Sequence, residues 1–147
     1  MMKKQLIAAA TLFLAAGAAF AQAASPVGLW KTIDDDGKTA KSLVRITESG
    51  GVLSGTIEKI FDAGKQDAKC DQCKDERKDK PIVGMTIIRG VKADGDDKAQ
   101  WSGGEILDPS NGKTYKTKIW TEDGGKTLNV RGYIGFLYRT QVWQKAE

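Results

Sequence analysis

TYKTKIWTEDGGKTLNV, Thr114 to Val130, decides the fold. Tyr115 and Ile119 fall on one face of an extended chain while Lys116 and Lys118 fall on the other, and Leu128 and Val130 alternate with Asn129 in the same way. Asp123-Gly124-Gly125 between the two runs tolerates the positive φ of a tight turn. One wet face and one apolar face, joined by a short turn, is the pattern of an antiparallel hairpin. The same punctuation recurs outward from it, at Asp36-Gly37, Ser49-Gly50-Gly51, Asp94-Gly95 and Asn111-Gly112. The intervening runs predict strands near 28–33, 42–47, 52–61, 82–92, 98–107, 114–122, 126–133 and 137–144. Val44 with Ile46, and Leu53 with Ile57 and Phe61, extend the alternation. No later segment carries a helical apolar stripe.

The expected fold is therefore all-β: a small antiparallel up-and-down β-barrel of about eight strands, closed so that no edge is left unpaired. A two-sheet sandwich fits the same turn spacing. The longest connection runs from Asp62 to Lys80 and is where function is sought first.

Met1 to Lys4 is basic, Leu6 to Phe20 is apolar, and small residues follow through Ala23. This predicts a cleaved signal peptide over 1–23, with one β-barrel domain over 24–147, in the periplasm or secreted. The apolar run is too short for a membrane span, and no cysteine marks a lipid anchor, so no membrane anchor is expected. Loss of Lys3 and Lys4 leaves 21 basic residues against 19 acidic ones, about +2 net, which gives no reason to expect nucleic acid as a partner.

Gly-Lys-Thr occurs at Gly37, Gly112 and Gly125, but a phosphate-binding loop needs a further Gly five positions earlier, where Thr32, Leu107 and Trp120 stand. The acidic runs at Asp34 to Asp36 and Asp94 to Asp97 lack the ligand spacing of a calcium loop. The chain has no histidine, which removes the common triads and imidazole-ligated metals. No catalytic residue and no cofactor is expected. Glu58 and Glu105 are the carboxylates placed within predicted strands.

Cys70 and Cys73, the only cysteines, lie in the charged stretch from Lys65 to Lys80. Two thiolates do not complete a zinc site, and a thioredoxin-like centre wants a helix after a strand, so no metal site is expected. A cuprous site with Met85 and a thiol redox role stay open as weaker readings. In an oxidising compartment a disulfide is the leading expectation, closing a tiny loop and pinning the segment.

A barrel that turned Trp101, Tyr115, Ile119 and Tyr133 inward, with Glu105 beside them, could hold one small hydrophobic molecule. Trp101 shares its face with Ala99 and Gly103, small neighbours that leave room. Arg131 and Arg139 are candidates to cover buried aromatics such as Trp143 by cation-π contact.

Gly28-Leu29-Trp30 at the first strand, with Arg139 in the last, resembles the lipocalin or calycin barrels. There the Trp closes the barrel base against a late Arg, which implies a structural closure by Gly28, Trp30, Arg139 and Trp143. The cysteine loop leading into KPIVGM, then DPSNGKTY, then LNVRGYIGFLYRTQVW, resembles the exported bacterial family called Domain of Unknown Function 2147, over essentially the whole mature chain. That resemblance implies a small lipocalin-like barrel and no settled activity. Two functions are carried forward: binding of a small hydrophobic ligand in the barrel, or an envelope protein-interaction or inhibitor module acting through the charged cysteine loop.

Overall fold

The computed structural model describes residues 24–147; the predicted signal peptide over 1–23 lies outside them. Eight antiparallel strands close into one barrel: β1 (Gly28–Ile33), β2 (Ala40–Ser49), β3 (Val52–Ile60), β4 (Thr86–Ala93), β5 (Gln100–Asp108), β6 (Lys113–Glu122), β7 (Thr127–Ile134) and β8 (Leu137–Lys145). Each strand pairs with its neighbour in sequence, and β8 returns to β1. The expected up-and-down barrel is thus the one observed, and the sandwich is not.

Because successive strands reverse direction, the connections divide between two ends. The β2–β3, β4–β5 and β6–β7 turns form the base, together with the start of β1 and the end of β8. The β1–β2 loop, the long Asp62 to Lys80 connection, the β5–β6 turn and the β7–β8 turn form the mouth.

Directly paired residues share a face, so the register names the lumen. Trp30 pairs with Val44, Val44 with Ile57, Ile88 with Ile106, Trp101 with Ile119, Ile119 with Val130, and Leu128 with Trp143. Trp30, Val44, Ile46, Leu53, Ile88, Val91, Ile119 and Leu128 have no exposed surface, and Trp143 is 2% exposed. Packing in the base half is carried by these side chains themselves, as expected of a barrel this narrow. Burial of each large aliphatic or aromatic group contributes about 1.5–3 kcal/mol.

Trp30 anchors the base. Its indole Nε1 donates to the carbonyl of Pro26 at 2.7 Å, so the one polar atom it buries is satisfied. Lys145, its register partner on β8, holds Nζ 5.6 Å from the ring centroid. The expected pairing of Trp30 with Arg139 is corrected here. Arg139 lies six residues earlier on β8, about 20 Å away at the rise of a strand, where it binds Asp35 at 3.1 Å. Arg131 does meet aromatic rings, at 4.9 Å from Trp120 and 4.1 Å from Tyr138.

The β1–β8 seam is the thin part of the wall. Backbone pairing there covers Trp30–Lys145 and Lys31–Gln144 near the base. Toward the mouth it is continued by side chains, with Asp35 accepting from Gln141 Nε2 at 3.1 Å beside its ion pair with Arg139.

Candidate functional site

The mouth half of the lumen differs from the base half. Ile60 pairs with Ser42, whose hydroxyl is 2.8 Å from that of Thr32, and Ile106 pairs with Tyr115. Ile60, Ile106 and Tyr115 are only half-buried, and the first two pack against the filled base. The Tyr115 hydroxyl accepts from Asn111 Nδ2 at 3.0 Å on the β5–β6 turn, which sets the ring along the rim. Gly132 lies beside this ring, where a Cβ would stand 3.4 Å from the Tyr115 Cβ, an ordinary contact.

A second constellation lies where the cysteine loop meets the outer wall. Cys70 and Cys73 form a disulfide with S–S 1.98 Å, and both are buried, so neither sulfur is offered to solvent. The loop is clamped to the β5–β6 turn: Cys70 Sγ lies 3.7 Å from the Pro109 carbonyl oxygen, and Gly112 abuts the backbone of Gln72. Leu107, on the outward parity of β5, is 2% exposed and joins the disulfide in one apolar cluster.

Arg77 sits at the centre of this region, 6% exposed. Its guanidinium donates to Asp75 Oδ2 at 2.5 Å and to the Thr86 carbonyl at 3.0 Å, tying loop to β4. Arg89 on β4 donates to Glu105 at 2.8 Å, to Glu76 at 2.5 Å and to Asp75 at 3.2 Å. Two guanidinium groups thus hold three carboxylates. The hydrogen bond from the Arg77 side chain, aided by its backbone N–H, lowers the Asp75 carboxyl to about 2. Glu76 is lowered chiefly by its hydrogen bond from Arg89, and Arg89 is raised in turn by Glu76 and then Glu105. Beside the cluster lies a depression of about 430 Å³ with Pro81, Val83 and Met85 against Glu76, Lys80 and Arg89. A second, of about 490 Å³, adjoins it between Arg89 and Lys116.

The structure divides the expected ligand-binding set. Ile119 faces the lumen fully buried, Trp101 faces it half-buried near the base, and Tyr115 reaches the rim. Glu105 and Tyr133 are on the outer wall, paired with Arg89 and Lys116 in the first case and with Lys116 and Tyr138 in the second. Glu105 carries the same parity as Trp101, but a register shift between Trp101 and Gly104, at Gly103 with φ +83°, reverses the facing of everything after it. Tyr133 fails for a simpler reason: with Val130 inward, alternation turns Gly132 inward and Tyr133 out. Glu58 is also outward, 2.5 Å from Arg45.

Residue-by-residue reading missed Arg77 and Arg89 as organising groups. The sequence signal was weak, an Arg among many Lys in one loop and an Arg before Gly90 on a strand. It also missed the exposed run Ile134, Phe136, Leu137 and Tyr138, although YIGFLY breaks the alternation visibly.

Residues 28–145 match the family model described as an uncharacterized protein conserved in bacteria, DUF2147. The chain belongs to the DUF2147 family. Among solved structures, this DUF2147 barrel is similar to protein HP1028 from Helicobacter pylori, described as belonging to the lipocalin family. The TM-score is 0.70, with 18% sequence identity and 84% of each chain covered. At that identity the likeness is one of fold: a lipocalin-like barrel. No curated protein matches the chain. No helix among the described residues is long and apolar enough to cross a membrane.

Proposed function

We propose that this DUF2147 protein is an exported, lipocalin-like binding protein that takes a small hydrophobic molecule in the mouth half of its barrel, not in a deep cavity. The observation that supports this is the gradient of burial along the lumen. The base is filled by Trp30, Trp143 and the aliphatic layer, with Trp101 half-buried beside them, whereas Ile60, Ile106 and Tyr115 toward the rim are all half-buried. Half-buried apolar side chains with a tyrosine and two hydroxyls beside them suit a short amphipathic ligand. Native mass spectrometry of the protein taken from its own envelope is expected to show such a passenger, lost in Ile106→Glu. Protein that is repeatedly empty, with no shift of Ile60, Ile106 or Tyr115 resonances on adding fatty acids or other apolar probes, would sink the reading.

A second reading rests on the outer wall. The depression beside the cysteine loop has an apolar floor and a charged rim, and the Arg77 lattice holds it in shape. Such a surface suits an envelope protein that inserts one apolar side chain. Deleting the whole loop would remove a buried disulfide and a buried arginine, so surface variants are the cleaner test. Val83→Asp with Lys80→Glu should abolish recovery of any specific envelope partner, and retention of every partner would overturn this reading.

A further inference from the structure

β7 and β8 meet in Tyr133-Ile134-Gly135-Phe136-Leu137-Tyr138. Ile134 pairs with Leu137, leaving Gly135 and Phe136 as a two-residue turn whose first position has φ +57°, a conformation suited to glycine. The apolar groups at this tip are exposed: Ile134 63%, Phe136 93%, Leu137 64%. A hairpin turn has no need of phenylalanine at its second position, and a polar residue there would fold as well.

The stem behind the tip is knit together by side chains. The Tyr133 and Tyr138 rings lie 5.9 Å apart, Arg131 stacks on Tyr138 at 4.1 Å, and its Nε donates to Thr140 Oγ1 at 2.9 Å. Charge is sorted along the same strands. From Lys113 to Ala146 the chain carries seven cations (Lys113, Lys116, Lys118, Lys126, Arg131, Arg139 and Lys145) against two acids, Glu122 and Asp123. Glu122 ends β6 and Asp123 opens the β6–β7 turn, both at the base with Lys126 and Lys145, the end away from the tip. Lys113, Lys116 and Arg139 are exposed around the stem, Lys116 pairing with Tyr133 and Arg139 following Tyr138. Among the acids at this end, Asp35 is engaged by Arg139 and Glu105 by Arg89, while Asp108 is the register partner of Lys113, and Asp34 and Asp36 stand in the β1–β2 loop.

We propose that the β7–β8 tip docks on an anionic lipid bilayer. Ile134, Phe136 and Leu137 enter the acyl boundary, Tyr133 and Tyr138 lie at headgroup depth, and Lys113 and Lys116 face the lipid phosphates. Apolar tip, amphipathic rings and cations follow one another in the order in which a bilayer presents acyl chain, interface and phosphate. A second copy of the chain is the poorer occupant, because a narrow convex tip offers far less than the roughly 800 Å² per partner of a stable interface.

The test is flotation of the processed protein with vesicles of phosphatidylcholine mixed with an equal share of phosphatidylglycerol, against pure phosphatidylcholine. Binding is expected to the mixed vesicles, weakened by salt. Phe136→Asp should lower the partition coefficient about tenfold or more, and Lys116→Gln about fivefold. Phe136→Trp, with brominated lipid, should show quenching beyond that of the native tryptophans. Absence of binding to mixed vesicles, or binding indifferent to Phe136→Asp in a variant with native near-ultraviolet circular dichroism, overturns the proposal. So does concentration-dependent dimerisation that Phe136→Asp abolishes without any vesicle binding. None of these outcomes bears on the lumen reading above, which has its own probes.

Discussion

At Gly112 one missing methyl group decides where a whole loop rests. Its φ is +71°, and a Cβ built there would overlap the carbonyl of Gln72 in the cysteine loop. Gly50 has a similar φ of +58° but meets nothing within 4 Å. Gly50→Ala should therefore cost only the conformational strain, about 1 kcal/mol, and Gly112→Ala about 3 kcal/mol or more, as read from urea unfolding midpoints. Increased reducibility of the disulfide in Gly112→Ala would show that the clamp has loosened. Asp75 supplies the titrating counterpart. Its folded carboxyl lies at about 2 against an ordinary 3.8, so its contribution is present above the ordinary value and lost as pH falls from there toward 2. Asp75→Asn should be less stable than the native protein at neutral pH, and the difference should shrink as pH falls through that window. A difference that stays constant across the titration would show that the Arg77 contact does not depend on the charge.

Among the elements, the cysteine loop shows most clearly what a strand alphabet cannot predict. The sequence marks it as long, polar and pinned by Cys70 and Cys73. The fold turns it into part of the core, with the disulfide and Arg77 buried. Replacing both cysteines by serine removes about 2 kcal/mol of chain-entropy restraint and places two hydroxyls in an apolar cluster. We expect a drop of about 2–4 kcal/mol in unfolding free energy with the barrel still closed. Far-ultraviolet circular dichroism and the unfolding midpoint check both halves of that statement. β5 shows the opposite limit. Its boundaries were legible to within two residues, yet a single bulge at Gly103 moved Glu105 from the lumen to the ion-pair lattice outside. Alternation reads facing correctly only where the ladder is regular, and a bulge inserts one uncounted residue.

For the molecule as a whole, closure depends on the short β1–β8 contact and on the plug beneath it. Trp30→Ala removes a fully buried indole from the base, and about 3–5 kcal/mol of stability should go with it. Asp35→Ala removes only exposed contacts across the seam, so less than about 1 kcal/mol should be lost. It should instead speed hydrogen exchange near Arg139 to Gln141. Equal exchange in native and variant protein would show that the seam is held by other means.

Glycine-bearing turns and two-residue alternation, both local properties, were enough for the sequence to mark eight antiparallel strands, and the return of β8 to β1 then settled the closed barrel over the sandwich that the same turns allow. The same local reading placed Ile119 and Leu128 inside and Lys116 and Lys118 outside, and the resemblance to calycin barrels put Trp30 at the base. Tertiary structure alone decided which cation covers Trp30, because that depends on the register of strands more than a hundred residues apart. It also decided that Glu105 joins Arg89 outside the barrel and that the lumen is filled at its base. Each of these is set by the meeting of distant segments, and a pairing between distant segments leaves no period in the chain for a sequence to display.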